Sequence, residues 1–186
     1  MSPREVLEIL KIAERLKDTT RHCYTSKGRH ESVAEHTWMM SLIAFLIKEE
    51  FPEADMNKVL HMIIIHDLGE AFTGDIPVFE KNNAHEKKEE DLLMNWLETL
   101  EPYKQKEMVS LLEEMKERKT LEAKIFKAID SLEALIQHNL SSLDTWIPLE
   151  YDLQKEYAWD RVEFSSYFKE LREEILKDTL EKIESK

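Results

Sequence analysis

Four side chains able to bind a metal lie on three predicted helices of this chain: His36, the adjacent pair His66 and Asp67, and Asp130. Each occupies a position where the helical period predicts apolar packing. A buried carboxylate such as Asp130 needs a partner, because burying a lone charge is costly. Two imidazoles and two carboxylates can satisfy one another by binding one divalent cation, and this donor set suits zinc or a first-row metal better than Cu(I). The pattern predicts a metal site.

Two further carboxylates follow the central pair at useful spacing. Glu70 comes four residues after His66 and three after Asp67, on the same face if the helix continues. Asp75 lies in the predicted turn just beyond. A metal lowers the pKa of bound water, and a nearby carboxylate can take the proton or orient the water. This arrangement could hydrolyse a phosphate ester.

Each of these residues also has an ordinary structural interpretation. A His-Asp dipeptide arises by chance, and a single histidine on an apolar face is more often a hydrogen-bonded core residue. Asp130 could pair with Lys127 or Arg21, and Glu70 could be a solvent-facing charge at a helix end. The coincidence of three helices favours the metal site, but spacing alone leaves its chemistry open.

The helices that must position these residues are marked by start signals. Capping boxes at Ser2 to Glu5 and at Ser32 to Glu35 predict the first two helix starts. Further helices are predicted from about Asp55 and from Ser165 or Ser166, and over residues 84–100, 103–117 and 120–140. The segments 17–31 and 141–160 are predicted to be irregular.

Apolar stripes predict which helix faces are buried. The stripe of the first helix contains Val6, Leu10, Ala13 and Leu16, and that of the second contains Val33, His36, Met40, Ile43 and Ile47. The last helix presents Phe168, Leu171, Ile175 and Ile183. The aromatic residues of 141–160 are interpreted as core and as a candidate dimer contact.

Composition limits the fold class and the partners. Only three glycines and five prolines occur in 186 residues, which favours an all-α chain. The net charge of −13 argues against a nucleic-acid polymer as partner. The single cysteine, Cys23, fits a reducing compartment, and no apolar run is long enough for a signal core or a membrane span. We expect a cytoplasmic protein without membrane contact.

Two sequence blocks resemble one known family. The pattern His36, His66-Asp67 and Asp130 is similar to the signature of the HD superfamily of metal-dependent phosphohydrolases. The blocks at 29–36 and 66–77 are similar to those of its bacterial 5′-deoxynucleotidases, which act on deoxyribonucleoside monophosphates. The resemblance covers roughly residues 5–140. It implies a single HD-domain helical bundle over residues 1–186, with a helical extension over about 141–186, and a homodimer.

The resemblance also implies roles for individual residues. His36, His66, Asp67 and Asp130 would bind a divalent cation such as Co²⁺, Mn²⁺, Mg²⁺ or Zn²⁺. Glu70 would be the catalytic carboxylate, and Asp75 would organise the substrate and the leaving group. Arg21 would hold the substrate, because a guanidinium matches phosphate oxygens.

The resemblance does not extend to the residue after Arg21. The family carries Trp at the next position, where an indole would pack against the sugar and help to exclude a 2′-hydroxyl, but this chain has His22. We expect His22 in the substrate site, which leaves the choice between deoxyribose and ribose open. Trp38 and Tyr24 are candidates to take the place of the missing indole.

Three hypotheses follow. The first is a 5′-phosphatase of (deoxy)nucleoside monophosphates. The second keeps the metal site but takes a triphosphate, a cyclic dinucleotide or ppGpp; polyphosphates need more cations than Arg21, Lys27 and Arg29 supply, which weighs against it. The third is a helical interaction module without catalysis.

Overall fold

The computed structural model describes residues 1–185 and consists mainly of helices. The elements run in the order α1 (Pro3–Ala13), β1 (Thr20–Tyr24), β2 (His30–Ser32), α2 (Val33–Ile47), α3 (Met56–Ile65), α4 (Glu70–Thr73), α5 (Asn83–Leu97), α6 (Pro102–Glu117), α7 (Leu121–Leu140), α8 (Pro148–Glu156), α9 (Trp159–Val162) and α10 (Ser166–Glu184). Short 3₁₀ turns cover Glu14–Lys17, Lys48–Glu50 and Leu143–Thr145. The predicted all-α class is confirmed, with one small sheet added. No helix among residues 1–185 is long and apolar enough to cross a membrane.

The predicted helix starts are confirmed by their caps. The side chains of Ser2 and Ser32 each accept a hydrogen bond from the backbone N–H three residues later, and a glutamate returns the bond in both capping boxes. Asp55 caps α3, Thr120 caps α7 and Ser165 caps α10 in the same manner. These local bonds satisfy backbone donors that a helix start leaves free, so the sequence alone fixes where the helices begin.

The long helix α7 forms the centre of the domain. It packs against α2, α3, α6 and α10 and also touches β1. Its Ile125, Ile129 and Leu132 are fully buried, and they meet buried residues of α2 and α3 such as Met40 and Ile63. Because α2, α3 and α7 meet in this core, polar side chains on their inner faces are brought together.

The predicted buried stripe of α1 is wrong at Val6 and Leu10, which are 41% and 54% exposed. Ala13 is partly buried against the core, although no residue of this helix is fully buried, and Leu16 is buried in the 3₁₀ turn that follows. Amphipathic periodicity therefore identified the helix correctly but not the surface on which it lies.

Part of the segment 17–31 forms a hairpin, which corrects the prediction of an irregular segment. Strands β1 and β2 pair antiparallel, with Thr20 opposite Ser32 and Tyr24 opposite His30. Gly28 has φ of 79° in the connecting turn, a conformation that glycine adopts without steric cost. The polar composition hid the strands, because only Cys23 of β1 is fully buried.

The region 141–160 is more regular than predicted, since it contains α8 and the start of α9. Its Trp146 is buried and donates a hydrogen bond to the carbonyl of His138, so this aromatic residue packs inside the domain. In α10 the buried residues are Phe168, Arg172, Ile175 and Thr179, which confirms Phe168 and Ile175 and adds two polar residues. The predicted Leu171 is partly buried against the core, and Ile183 is only partly buried.

Arg172 is fully buried and binds backbone carbonyls instead of a carboxylate. Its Nη2 donates to the carbonyls of Gln154 and Lys155 at 2.8 and 3.0 Å, and its Nε donates to that of Tyr157 at 3.0 Å. These carbonyls lie at the C-terminal end of α8, where orphan acceptors and the helix dipole favour a cation. Burial lowers the pKa of Arg172 to about 10, and its guanidinium also stacks over the ring of Trp159. Arg172 thus fixes α8 and α9 against α10.

We expect Arg172→Met to lower the free energy of unfolding by about 2–3 kcal/mol, because it removes three charge-assisted bonds and leaves the carbonyls unpaired. Urea denaturation followed by circular dichroism measures this change. Arg4→Met is the control, since the Arg4 side chain is 71% exposed, and it should change stability by no more than about 0.5 kcal/mol. Equal stability of the two variants would contradict a capping role for Arg172.

Candidate active site

His66 and Asp67 lie where α3 ends. His66 is the C-cap residue of α3, and a short turn separates the pair from α4, which starts at Glu70. Nδ1 of His66 lies 2.7 Å from the carbonyl of Ile63. Because a carbonyl only accepts, Nδ1 carries the hydrogen, and in the neutral ring Nε2 presents a lone pair.

That Nε2 atom is buried and has no hydrogen-bond partner among the described residues, although Oδ2 of Asp67 lies only 2.9 Å away. A lone pair and a carboxylate oxygen repel each other at this distance unless a cation or a proton lies between or beside them. The pair is therefore arranged to hold a positive charge.

His36 projects from α2 toward the same place. The ring is 1% exposed, and its Nδ1 is hydrogen-bonded to the carboxylate of Glu133 on α7. Its Nε2 lies 3.4 Å from Oδ1 of Asp130 and 3.9 Å from Oδ2 of Asp67. A carboxylate on Nδ1 fixes the tautomer and orientation of an imidazole, an arrangement common behind metal-binding histidines.

The structure brings the predicted metal ligands together. The ligand atoms of His36, His66 and Asp67 all lie within 4.8 Å of one another. Asp130 adjoins this group through His36, but its other oxygen, Oδ2, accepts a hydrogen bond from Lys127 at 2.6 Å. Asp130 thus takes part in the ion pair considered above and at the same time faces the cluster. Lys127 and both histidines hold the pKa of Asp130 well below its usual range, against the effect of burial.

Glu70 and Asp75 lie beside this cluster, and the pKa of each is raised. Glu70 is 5% exposed, and its Oε2 has no hydrogen-bond partner among the described residues. Burial, followed by the charges of Asp67, Asp75 and Glu89, raises its pKa to about 10. Burial also raises the pKa of Asp75, with Arg21 acting in the opposite direction. Glu70 is therefore not the solvent-facing helix end that was one alternative.

Arg21 is held by two acids that the sequence analysis missed. Its Nη1 lies 2.9 Å from Oε2 of Glu31 and 3.1 Å from Oε2 of Glu133. Glu31, Glu133 and His36 could by distance form a second metal group, but the guanidinium of Arg21 already supplies the positive charge there. Glu133 lies three residues after Asp130 on α7, so a charged residue repeating on one helical face was a usable signal.

His22 lies beside Glu150 and Phe79 and lines the same cavity as Asp67 and Asp130. Its Nε2 is 3.0 Å from Oε1 of Glu150, which also lies 2.8 Å from Nε2 of His138. The ring of Phe79 packs edge-on against His22, with centroids 5.3 Å apart. The two candidates for the missing indole lie elsewhere: Trp38 is 62% exposed on the outside of α2, and Tyr24 packs against His30.

A cavity of about 380 Å³ connects these groups. All the predicted substrate and catalytic residues line it, together with His36, Asp67 and Asp130 of the metal cluster. Its walls also include residues of α8, α9 and the turn between them, which the sequence analysis placed in the extension: Glu150, Leu153, Gln154, Tyr157 and Arg161. Along α7 the cavity runs from Lys127 to His138, or about 16 Å at the helical rise. Its volume is in the range of small-molecule sites.

The fold and the cluster together define a class: helical proteins that hold two histidines and neighbouring aspartates from separate helices in one buried group. Sequence comparison identifies the family, because an HD domain profile matches residues 13–172. The chain belongs to the HD domain family.

Characterised relatives and solved structures agree with this assignment. The chain is 29% identical over 176 residues to 5′-deoxynucleotidase HDDC2 of Dictyostelium discoideum, covering 89% of this chain and 87% of that protein. The human protein of the same name is 28% identical over 138 residues, covering 72% and 67%.

Two solved structures share the fold. A predicted metal-dependent phosphohydrolase from Magnetospirillum magnetotacticum superimposes with a TM-score of 0.77 at 24% identity, covering 92% of this chain and 94% of that one. The HD phosphohydrolase DatZ of cyanophage S-2L, solved with dA and one catalytic Zn²⁺ ion, has a TM-score of 0.60 at 20% identity, covering 95% and 96%.

We expect His66→Ala to weaken the binding of Mn²⁺, Co²⁺ or Zn²⁺ by at least about 100-fold, because even partners behind a ligand contribute 10- to 100-fold. Calorimetric titration of the chelator-treated chain measures the affinity. His61→Ala is the matched control, because His61 lies on the same helix but is exposed. Equal metal affinity in both variants would show that His66 is not a ligand.

Proposed function

We propose that the chain is a metal-dependent phosphohydrolase that removes the 5′-phosphate of (deoxy)nucleoside monophosphates. The observation that carries this proposal is the group of His36, His66 and Asp67 beside the buried, unpartnered carboxyl of Glu70, all at one cavity. The names of the relatives support the substrate class, since both HDDC2 proteins are called 5′-deoxynucleotidases.

The donor set fits a divalent cation. Nε2 of His66 and Oδ2 of Asp67 face each other without a hydrogen bond. Nε2 of His36 likewise faces a carboxylate oxygen, Oδ1 of Asp130. His36, His66, Asp67 and Asp130 would hold the ion, and such a set accepts Co²⁺, Mn²⁺, Mg²⁺ or Zn²⁺. Bound there, the ion supplies Lewis acidity toward the phosphate and the attacking water.

Glu70 is the proton carrier of the proposed reaction. The pKa of about 10 reflects burial and the uncompensated charges around Glu70, and this pKa falls when the charge on Asp67 is neutralised. The carboxylate can then take a proton from water while the water oxygen bonds to phosphorus and the bond from phosphorus to the 5′-oxygen breaks. Returning the proton to the 5′-oxygen releases the nucleoside and completes the balance.

Arg21, His22 and Asp75 are the proposed substrate residues. Both ion pairs of Arg21 use Nη1, so its Nη2 and Nε donors remain for substrate oxygens. Asp75 lines the cavity near Glu70 and can accept a hydrogen bond from a hydroxyl of the sugar. His22, which lies against Glu150 and Phe79 and lines the cavity, would meet the nucleoside.

The purified chain should release phosphate from deoxynucleoside monophosphates with Mn²⁺, Co²⁺ or Mg²⁺ and lose this activity on chelation. Glu70→Gln should lower kcat by about 10²- to 10⁴-fold, the usual contribution of a general acid or base, while metal binding persists. Phosphate release measures both effects. Glu80→Gln, an exposed glutamate outside the cavity, should behave as wild type. No release from any nucleoside monophosphate would contradict the proposal and favour the interaction module.

We also propose a homodimer through the outer face of α2. Trp38, Phe45 and Leu46 on this helix are 62%, 59% and 68% exposed, and Leu42 lies between them. The inner face of α2 is apolar as well, and a helix that is apolar on all sides is usually buried. Exposed apolar patches of this kind mark interaction sites.

We expect Trp38→Glu to raise the dissociation constant of the dimer by about 30-fold or more, since it puts a charge in a central aromatic contact. Analytical ultracentrifugation should show wild type at twice the chain mass of 22.1 kDa and the variant shifted toward the single mass. Tyr103→Glu, at a 63% exposed aromatic residue on α6, is the control. A monomeric wild type would exclude the dimer.

A further inference from the structure

A group of cations borders the cavity beyond the metal cluster. Arg118, Lys124 and Arg161 line a second hollow of about 410 Å³, and we call these three residues the cationic ledge. Lys127 lines this hollow and the main cavity alike, as do Arg118 and Arg161, so the two spaces adjoin. In a chain with a net charge of −13, such a concentration of positive charge beside acidic catalytic groups needs an explanation.

Arg161 is held in place by neutral groups. Its Nη1 donates to Oγ of Ser131 at 2.9 Å and to the hydroxyl of Tyr157 at 2.5 Å, and its guanidinium stacks over the Tyr157 ring. Ser131 directly follows Asp130 in α7, and Arg161 lines the main cavity together with Asp130. Its Nε is buried without a hydrogen-bond partner in the described chain, and the nearest carboxylate oxygen, of the exposed Asp160, is 3.9 Å away.

Arg118 and Lys124 complete the ledge from neighbouring elements. Arg118 ends α6 with φ of 53°, an unusual conformation for a residue with a side chain, and it lines both spaces. Lys124 lies on the first turns of α7, three residues before Lys127. Neither Arg118 nor Lys124 forms an ion pair within residues 1–185. Of the four cations here, only Lys127 has a close carboxylate partner, the oxygen of Asp130 at 2.6 Å.

We infer that the cationic ledge binds a phosphate group beyond the one at the metal cluster, so that the cavity accepts a diphosphate unit. Lys127 bridges the two positions, because it contacts Asp130 and lines the second hollow. Two guanidiniums with unused donors match phosphate oxygens. Asp160 and Glu163 also border this hollow, but the four cations outnumber them by two.

The sequence analysis argued that the chain supplies too few cations to bind a polyphosphate. The cationic ledge removes this objection. That argument counted Arg21, Lys27 and Arg29, of which only Arg21 lines the cavity. The fold supplies Arg118, Lys127 and Arg161 from α6, α7 and α9 instead. The diphosphate could be free pyrophosphate or the outer phosphates of a nucleoside di- or triphosphate. The inference rests on the proposed function only in placing the first phosphate at the metal cluster.

The first experiment titrates the whole metal-loaded chain with inorganic phosphate and with pyrophosphate, keeping Mg²⁺ in excess over both. Wild type should bind pyrophosphate more tightly than phosphate. Arg161→Gln and Arg118→Gln should each reduce that preference about tenfold, as expected for loss of a charge-assisted bond. Lys119→Gln is the matched control, since Lys119 follows Arg118 but lines neither space, and it should keep the preference.

Several outcomes would overturn the inference. If wild type binds phosphate and pyrophosphate equally, there is no second subsite. If the arginine variants lose both ligands to the same extent, the ledge serves the first phosphate only. If Lys119→Gln lowers the preference as much as they do, the effect is a general one of surface charge. Circular dichroism of each variant excludes misfolding as the cause.

A second experiment separates the two sources of the diphosphate. Deoxynucleoside mono-, di- and triphosphates compete with pyrophosphate in the same titration. Stronger competition by the di- and triphosphate, lost in Arg161→Gln, assigns the ledge to nucleotides; equal competition by all three assigns it to free pyrophosphate. Because binding needs no turnover, a chain that fails to release phosphate from monophosphates contradicts the proposed function without deciding this inference.

Discussion

The site depends on the contacts that the buried carboxylate of Glu133 makes with His36 and Arg21. This carboxylate is fully buried at the centre of the domain and binds both the Nδ1 of His36 and the guanidinium of Arg21. A buried charge is tolerated only when it is paired and hydrogen-bonded, so α7, α2 and β1 are constrained to meet at this oxygen. The same bond turns Nε2 of His36 toward Asp67 and Asp130. The interaction that holds the hairpin to the core thus also aims a predicted metal ligand.

The acidic side chains around this core outnumber the cationic ones. Asp67, Glu70 and Asp75 surround a volume in which Arg21 is already shared by two glutamates. Burial, followed by the neighbouring charges of Asp67, Asp75 and Glu89, raises the pKa of Glu70. A divalent cation at the histidine cluster corrects the imbalance, and a metal-dependent chemistry is therefore consistent with the electrostatics as well as with the donor geometry.

The sequence predicts the helices well because their signals are local. Ser32 and Thr120 satisfy helix starts with bonds to the next few residues, and the stripe of α7 has the helical period. His36, His66 and Asp67 were found for a related reason, since each interrupts an apolar stripe. Glu133 was missed although it follows Asp130 on one helical face, because its partners Arg21 and His36 lie far along the chain. Glu31 and Glu150 lie 10 and 12 residues from Arg21 and His138, separations that no helical or strand period marks. No local pattern shows that Arg21 pairs with a residue 112 positions away.

Two sets of elements line the cavity. The predicted metal ligands and Glu70 belong to α2, α3, α4 and α7 and the turn after α3, whereas Glu150, Tyr157 and Arg161 come from the region between α7 and α10. Arg172 fixes that second region by binding the carbonyls of Gln154, Lys155 and Tyr157. Since α8 and α9 contact the cavity without contributing a predicted ligand, their side chains can change what the cavity accepts while the metal cluster stays intact. His22 links the two sets, because it follows Arg21 in β1 and contacts Glu150 of α8. The position that departs from the family pattern thus contacts the part of the cavity wall that α8 contributes.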